Sequence, residues 1–163
     1  MRGANHYRFA EGWELAAAAG DVLAVLEDVA RYQEWWPEIR RARRLDDRRG
    51  ELTVRSLLPY DLVLTVEESR RDLAAGVLEA AMTGDLVGWS RWTVTSRPGG
   101  SLALFEEEVR ATRPLMRRLA LPARPLFTAN HALMMRSGCR GLRTYLAGYA
   151  AGRAASGAAG DRP

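Results

Sequence analysis

Residues 77–112 read VLEAAMTGDLVGWSRWTVTSRPGGSLALFEEEVRAT, three segments of strand length separated by Gly84-Asp85 and by Pro98-Gly99-Gly100. β-Branched and aromatic residues recur within the segments, and the separators are compositions that favour chain reversal. Strands joined by so few residues pair antiparallel, because a parallel pair needs a long crossover. Side chains alternate between the two faces of a strand, so parity splits each segment into two sets. Over 86–96 the inner set reads Leu86, Gly88, Ser90, Trp92 and Val94. Over 101–112 it reads Ala103, Phe105, Glu107, Val109 and Ala111.

Towards the N-terminus the same logic gives strands at 38–47, 51–58 and 60–69, broken at Asp46 to Gly50, at Pro59 and at Asp72 to Gly76. Ahead of them, His6 to Ala17 alternates around Tyr7, Phe9, Trp13 and Leu15 and reads as a first strand. From Asp21, apolar residues recur at Val22, Val25, Leu26, Val29 and Tyr32 with helical spacing. Asp21 or Gly20 is the expected cap, and Pro37 ends the helical stretch. Towards the C-terminus, Pro114, Pro122 and Pro125 kink or split the opening of the last element, after which Leu126 to Tyr149 reads as one long helix. Its sheet-facing stripe is Phe127, His131, Met134, Gly138, Leu142 and Tyr145. From Gly152 the composition is small and glycine-rich, so residues 1–151 are read as a single domain and 152–163 as a flexible tail. The fold class is α+β: about seven antiparallel strands, two short helices after the first, and one long C-terminal helix.

Composition narrows the function. At 163 residues, 47% hydrophobic and 27% charged, the chain has the balance of one globular domain, and no apolar run nears the roughly 18 residues that span a bilayer. The polar start of the chain and the single cysteine, Cys139, lead to the expectation of a cytoplasmic protein. All 24 basic residues are arginine, so lysine Schiff-base chemistry and a phosphate-binding P-loop are closed to it. His6, His131 and Cys139 offer no zinc spacing, and no metal or other cofactor is expected. Arginines at 40, 41, 43, 44, 48 and 49 form a dense basic run, but it lacks stacking aromatics or a groove-entering helix, and Glu38, Asp46 and Asp47 dilute it. It is read as a solvated edge strand, peripheral to ligand chemistry and not a nucleic-acid site. Contact with a membrane surface or an acyl-carrier partner stays open, and nothing in the sequence decides between monomer and dimer.

Three blocks carry a resemblance. They are Leu26-Glu27-Asp28 with Tyr32 and Trp35-Trp36-Pro37; Gly84-Asp85-Leu86-Val87-Gly88 with Trp92; and Arg124-Pro125-Leu126-Phe127 with Asn130-His131, Met134-Met135, Gly138 and Gly141-Leu142. In this order the chain resembles the START-like (SRPBCC) superfamily, and within it the polyketide cyclase/dehydrase-like proteins of actinobacterial type. The resemblance implies a helix-grip (START/Bet v 1-like) fold, a curved antiparallel sheet wrapped around the long helix. It also implies a cavity for a small hydrophobic ligand, polyketide-like, aromatic or lipid-like.

Several side chains are candidates to line that cavity. Gly88 and Ser90 beside Trp92 either leave open volume against an aromatic wall, or Gly88 marks a bulge and Trp92 is ordinary core. Glu107 either points inward between Phe105 and Val109, where it needs a partner, or a bulge returns it to water. His131 is either a proton carrier, with Asn130 orienting it, or a satisfied core residue. Tyr60 and Ser56 flank the third turn as polar candidates, with Arg55 solvated, while Trp35, Phe105, Phe127 and Met134 complete the apolar set. Two functions remain: an enzyme that folds a flexible chain and promotes cyclisation or dehydration through Glu107, His131 and Tyr60, or a non-catalytic carrier or sensor of a lipid, quinone or other apolar metabolite.

Overall fold

The computed structural model of the protein describes residues 5–55, 60–114 and 124–159. Seven strands form one antiparallel sheet: β1 (His6–Leu15), β2 (Ile39–Arg44), β3 (Arg49–Val54), β4 (Leu62–Asp72), β5 (Val77–Gly84), β6 (Leu86–Arg97) and β7 (Gly100–Ala111). Their spatial order is β1-β7-β6-β5-β4-β3-β2. The chain therefore leaves β1 at one edge, crosses to β2 at the other, and returns strand by strand until β7 pairs with β1. The reversals after β4 and β5 fall where the sequence places them. Gly76 (φ 70) and Gly84 (φ 104) adopt conformations that a side chain disfavours. At 46–50 the turn is tighter than expected. Asp46 Oδ1 accepts from the backbone N–H of Arg48 and Arg49, so β3 already begins at Arg49. Register shifts between Ile39 and Arg41 and between Glu68 and Arg70 add the local bends that curve a sheet.

The crossover from β1 to β2 holds α1 (Ala19–Leu26) and a 3₁₀ helix, Val29–Glu34. Helix α1 buries Val22, Leu23, Val25 and Leu26. Neither Gly20 nor Asp21 caps it. Ala18 takes the extended cap conformation without a side-chain bond, which puts Asp21 in the first turn, where its carboxylate pairs with Arg153. The helical stretch ends before Pro37, as expected.

Helix α2 (Arg124–Ala159) lies against the sheet. Its deepest line is Met135, Gly138, Leu142 and Leu146, so relative to the expected stripe Met134 and Tyr145 sit half-buried at the side. Two glycines set how close it comes. A Cβ on Gly138 would stand 2.5 Å from Trp36 Cε2, and one on Gly141 1.7 Å from the carbonyl oxygen of Trp35. Trp36 Nε1 then donates to the carbonyl of Met134 at 3.0 Å. The helix continues past Tyr149 to Ala159, so the segment from Gly152, expected to fray, is helical to that point. The expected kink between Pro114 and Pro125 falls largely on 115–123, outside the described residues.

One partly exposed contact ties the β5–β6 turn to the start of β4 and to Arg113. Asp85 Oδ2 accepts from the Val63 N–H and Oδ1 from Arg113 Nε, both at 2.8 Å. Burial pushes the Asp85 carboxyl up, but these two donors outweigh it and hold the group below its usual range.

Two expectations follow from this packing. Gly141→Ala forces its methyl into the Trp35 carbonyl and should cost about 1–3 kcal/mol in a denaturant titration. Gly148→Ala, with nothing within 4 Å of the added carbon, should gain about 0.5–1 kcal/mol from helix propensity. For Asp85, a depressed folded-state pKa means stabilisation that is present above the unfolded value and lost as pH falls through the folded one. Asp85→Asn should therefore lower the denaturation midpoint at pH 7, and its deficit relative to the parent should shrink below about pH 4.

Candidate functional site

The strand parity that fills the core also leaves a gap in it. Across β5, β6 and β7, Ala80 pairs with Ser90 and Ser90 with Glu107, and this row continues onto β1 as Phe9. Ala80 and Ser90 are small, so the row is shallow between its bulkier neighbours, Leu78, Trp92 and Phe105 on one side and Met82 on the other. Over this floor lies a cavity of about 190 Å³. Leu52, Val54, Leu64 and Val66 wall it from β3 and β4, Tyr32 and Trp36 from the crossover, and His131, Met134 and Met135 from α2. The inner sets read from parity on β6 and β7 are the ones that face it, through Ser90, Trp92, Phe105 and Glu107.

Glu107 takes the inward alternative. Neither the β6–β7 nor the β1–β7 pairing shifts register, so no bulge turns it out, and it is 7% exposed. A carboxylate there needs a partner, since burying one alone costs several kcal/mol. His131, 9% exposed, supplies it: Nε2 lies 3.1 Å from Glu107 Oε2, a hydrogen bond that requires one proton between them. Phe9 holds the imidazole plane by stacking on it, with centroids 3.6 Å apart and planes 7° apart. Carboxylate and imidazole thus meet beside Phe105, Met134 and Met135, from the last strand and the helix packed across it.

Other candidates are placed elsewhere. Gly88 does not line the cavity and marks no bulge. A Cβ there would meet the Glu108 carbonyl oxygen at 1.9 Å, so its small size serves the approach of β7 and adds no volume. Trp35 is core, stacked on Trp36 at 5.3 Å, and the tryptophan on the wall is its neighbour Trp36. Tyr60 lies beneath the Arg113 guanidinium, whose Cζ is 4.5 Å from the centre of the phenol ring, and off the cavity wall. Phe127 packs edge-on against Tyr7, and Asn130 is half-buried next to His131; neither lines the wall. Ser56 lies outside the described residues.

Sequence reasoning missed Tyr32, whose hydroxyl donates to the Leu26 carbonyl at 2.7 Å and whose burial pushes the phenol up. It missed the shallow Ala80 row, which the parity of β5 could have revealed. The basic run is exposed on the edge strand β2 and the turn that follows it. Arg44, Arg48 and Arg49 stand at the rim of the cavity with Glu68 and Arg70, because the β2–β3 hairpin closes against Val29 at Gly50. Arg43 pairs with Glu51 away from that rim.

Among known proteins, the sequence profile for polyketide cyclase / dehydrase and lipid transport matches residues 15–133. An aromatase/cyclase, Zhui, from Streptomyces sp. R1128 superposes with a TM-score of 0.70 at 15% identity, covering 86% of this chain and 93% of that one. A START superfamily protein from Mycobacterium smegmatis gives 0.64 at 16% identity, covering 87% and 98%. StfQ, a di-domain aromatase/cyclase of the steffimycin pathway, gives 0.70 at 12% identity, with 91% of this chain on 53% of that one. At such identities the likeness is one of fold. No curated protein matches the chain. Among the described residues no helix is long and apolar enough to cross a membrane.

Filling and straining the site should have separable effects. Ser90→Leu projects its side chain over the floor and should abolish saturable quenching of Trp36 and Trp92 fluorescence by a flat aromatic dye, with circular dichroism unchanged. Gly88→Ala should instead lower stability, by about 1–3 kcal/mol, through its contact with the β7 backbone.

Proposed function

Because the chain belongs to the polyketide cyclase/dehydrase and lipid transport family, we propose that it takes one small apolar molecule, polyketide-like, aromatic or lipid-like, into this cavity and exchanges a proton with it through Glu107 and His131. The observation that carries the reading is the hydrogen-bonded pair itself, set on a wall of aromatic and aliphatic side chains. The apolar surfaces of Trp36, Trp92, Phe105 and Met134 hold a ligand by excluding water. A ligand oxygen or an acidic C–H that reaches the floor meets Glu107 and His131 there, beside the Ser90 hydroxyl.

The chemistry open to the pair is general acid–base catalysis. For a dehydration, the pair accepts a proton from the carbon next to a carbonyl, the released electron pair forms the new double bond, and the departing hydroxyl takes a proton from the pair and leaves as water. No charge accumulates in the cavity, because one proton enters the pair as another leaves. The wall contributes orientation, holding a flexible chain so that the reacting atoms meet. The phenol of Tyr60, off this wall, has no part in the scheme. Carriage of an apolar metabolite uses the same cavity with the pair as an anchor for a ligand oxygen, and the family's name spans both activities. The location we propose is cytoplasmic.

Turnover and affinity separate the two. The parent should bind a polycarbonyl aromatic ligand one to one, read from tryptophan fluorescence. For an enzyme, Glu107→Gln and His131→Ala each lower turnover about a hundredfold or more, with dissociation constants changed only slightly. For a carrier, both changes act on the dissociation constant alone. Absence of saturable binding by the parent overturns both.

A further inference from the structure

The outward face of α2 carries a charge pattern unlike that of the sheet. From Arg124 to Ala159 the helix has five arginines and neither Asp nor Glu, whereas the sheet carries both signs. Its inner face is committed to the core through Met135, Gly138 and Leu142. On the opposite face Leu126, Ala129, Leu133, Arg136 and Arg140 follow one another at three-four spacing, and all are exposed. Leu126 and Leu133 are 47% and 56% exposed, among the most exposed large apolar side chains of the described residues. Arg143 donates to the Glu14 carbonyl and Arg153 pairs with Asp21, but Arg136 and Arg140 have no ion pair or hydrogen bond among the described residues.

We propose that this face, between Leu126 and Arg140, docks on an anionic lipid surface. With no acidic side chain on the helix, the two arginines call for anions from outside. The two leucines are seven residues apart, about 10 Å along the axis. Both project from the outward side of the helix into solvent. A protein partner would need a complementary pocket and roughly 800 Å² of matched surface. A bilayer deforms around isolated side chains, its headgroup phosphates taking guanidinium groups and its acyl boundary taking leucines. The same stretch of helix turns His131, Met134 and Met135 to the cavity, so docking leaves only the width of α2, about 10–12 Å, between cavity and lipid. The docking stands independently of whether the cavity is catalytic.

The test is cosedimentation of the full chain with vesicles of phosphatidylcholine alone or mixed equally with phosphatidylglycerol. Binding is expected only to the mixed vesicles and should be released by salt. Arg136→Gln with Arg140→Gln should weaken it about 25-fold, at about 5-fold per arginine. Leu126→Ser with Leu133→Ser should weaken it at unchanged charge, and Arg43→Gln, remote from the face, should leave it alone. Circular dichroism checks that each variant is folded, and the two double variants test the face independently of each other. The proposal is overturned if mixed vesicles are not bound, if Arg43→Gln costs as much as the helix double variants, or if these arginines instead govern self-association or binding to polyglutamate while vesicles are ignored.

Discussion

Gly138 and Gly141 let α2 approach the Trp35-Trp36 segment more closely than any side chain would allow, and the placement of the helix depends on that approach. The contact fixes rotation as well as depth, because Trp36 Nε1 is spent on the Met134 carbonyl only when the helix sits at this angle. Seven residues earlier on the same face, two turns away, is His131. The glycines therefore position the imidazole without touching it: a larger residue at either would lift the helix and draw Nε2 away from Glu107. The crossover helices contribute by the same route, since Trp35 and Trp36 follow directly from the 3₁₀ helix that ends at Glu34.

Periodicity carried much of this arrangement. Parity alone put Ser90, Trp92, Phe105 and Glu107 on one face, and three-four spacing put His131 and Met134 on the side of α2 towards it, since these follow from backbone geometry that every strand and helix shares. What periodicity does not contain is the distance between backbones. Gly88 has the right parity for the cavity, but β7 approaches it closely, so the missing side chain serves packing. Trp35 and Trp36 are adjacent in a segment that is neither strand nor helix, where no period decides which one turns inward. Tyr60 and the hairpin tip at Arg48 depend on how loops fold back against the sheet, which pattern reading does not reach. Asp21 is a good capping residue by type, and it lost the role because the helix begins two residues before it, at Ala19.

The buried pair has a cost that bears on its role. A leucine at Glu107 would pack against Phe105 and Val109 without any partner, whereas the carboxylate requires His131, and His131 in turn is held by Phe9. Replacing a buried polar pair with apolar side chains is often neutral or stabilising in other proteins. A pair kept at the surface of an internal cavity is therefore poorly explained by stability alone, which accords with a part in ligand chemistry.

The pairing of β1 with β7 also has a consequence in time. His6 on the first strand and Glu108 on the last are 102 residues apart yet hydrogen-bonded. During synthesis at about 5–20 residues per second, β1 waits roughly 5–20 s for β7, its neighbour in the sheet among the described residues. Throughout that interval Tyr7, Phe9 and Trp13 sit on a ribosome-bound strand with both edges open, the state most prone to pair with another chain. The vulnerable period of this protein is then its own translation, and a chaperone that covers its first fifteen residues would act where native contacts cannot yet form.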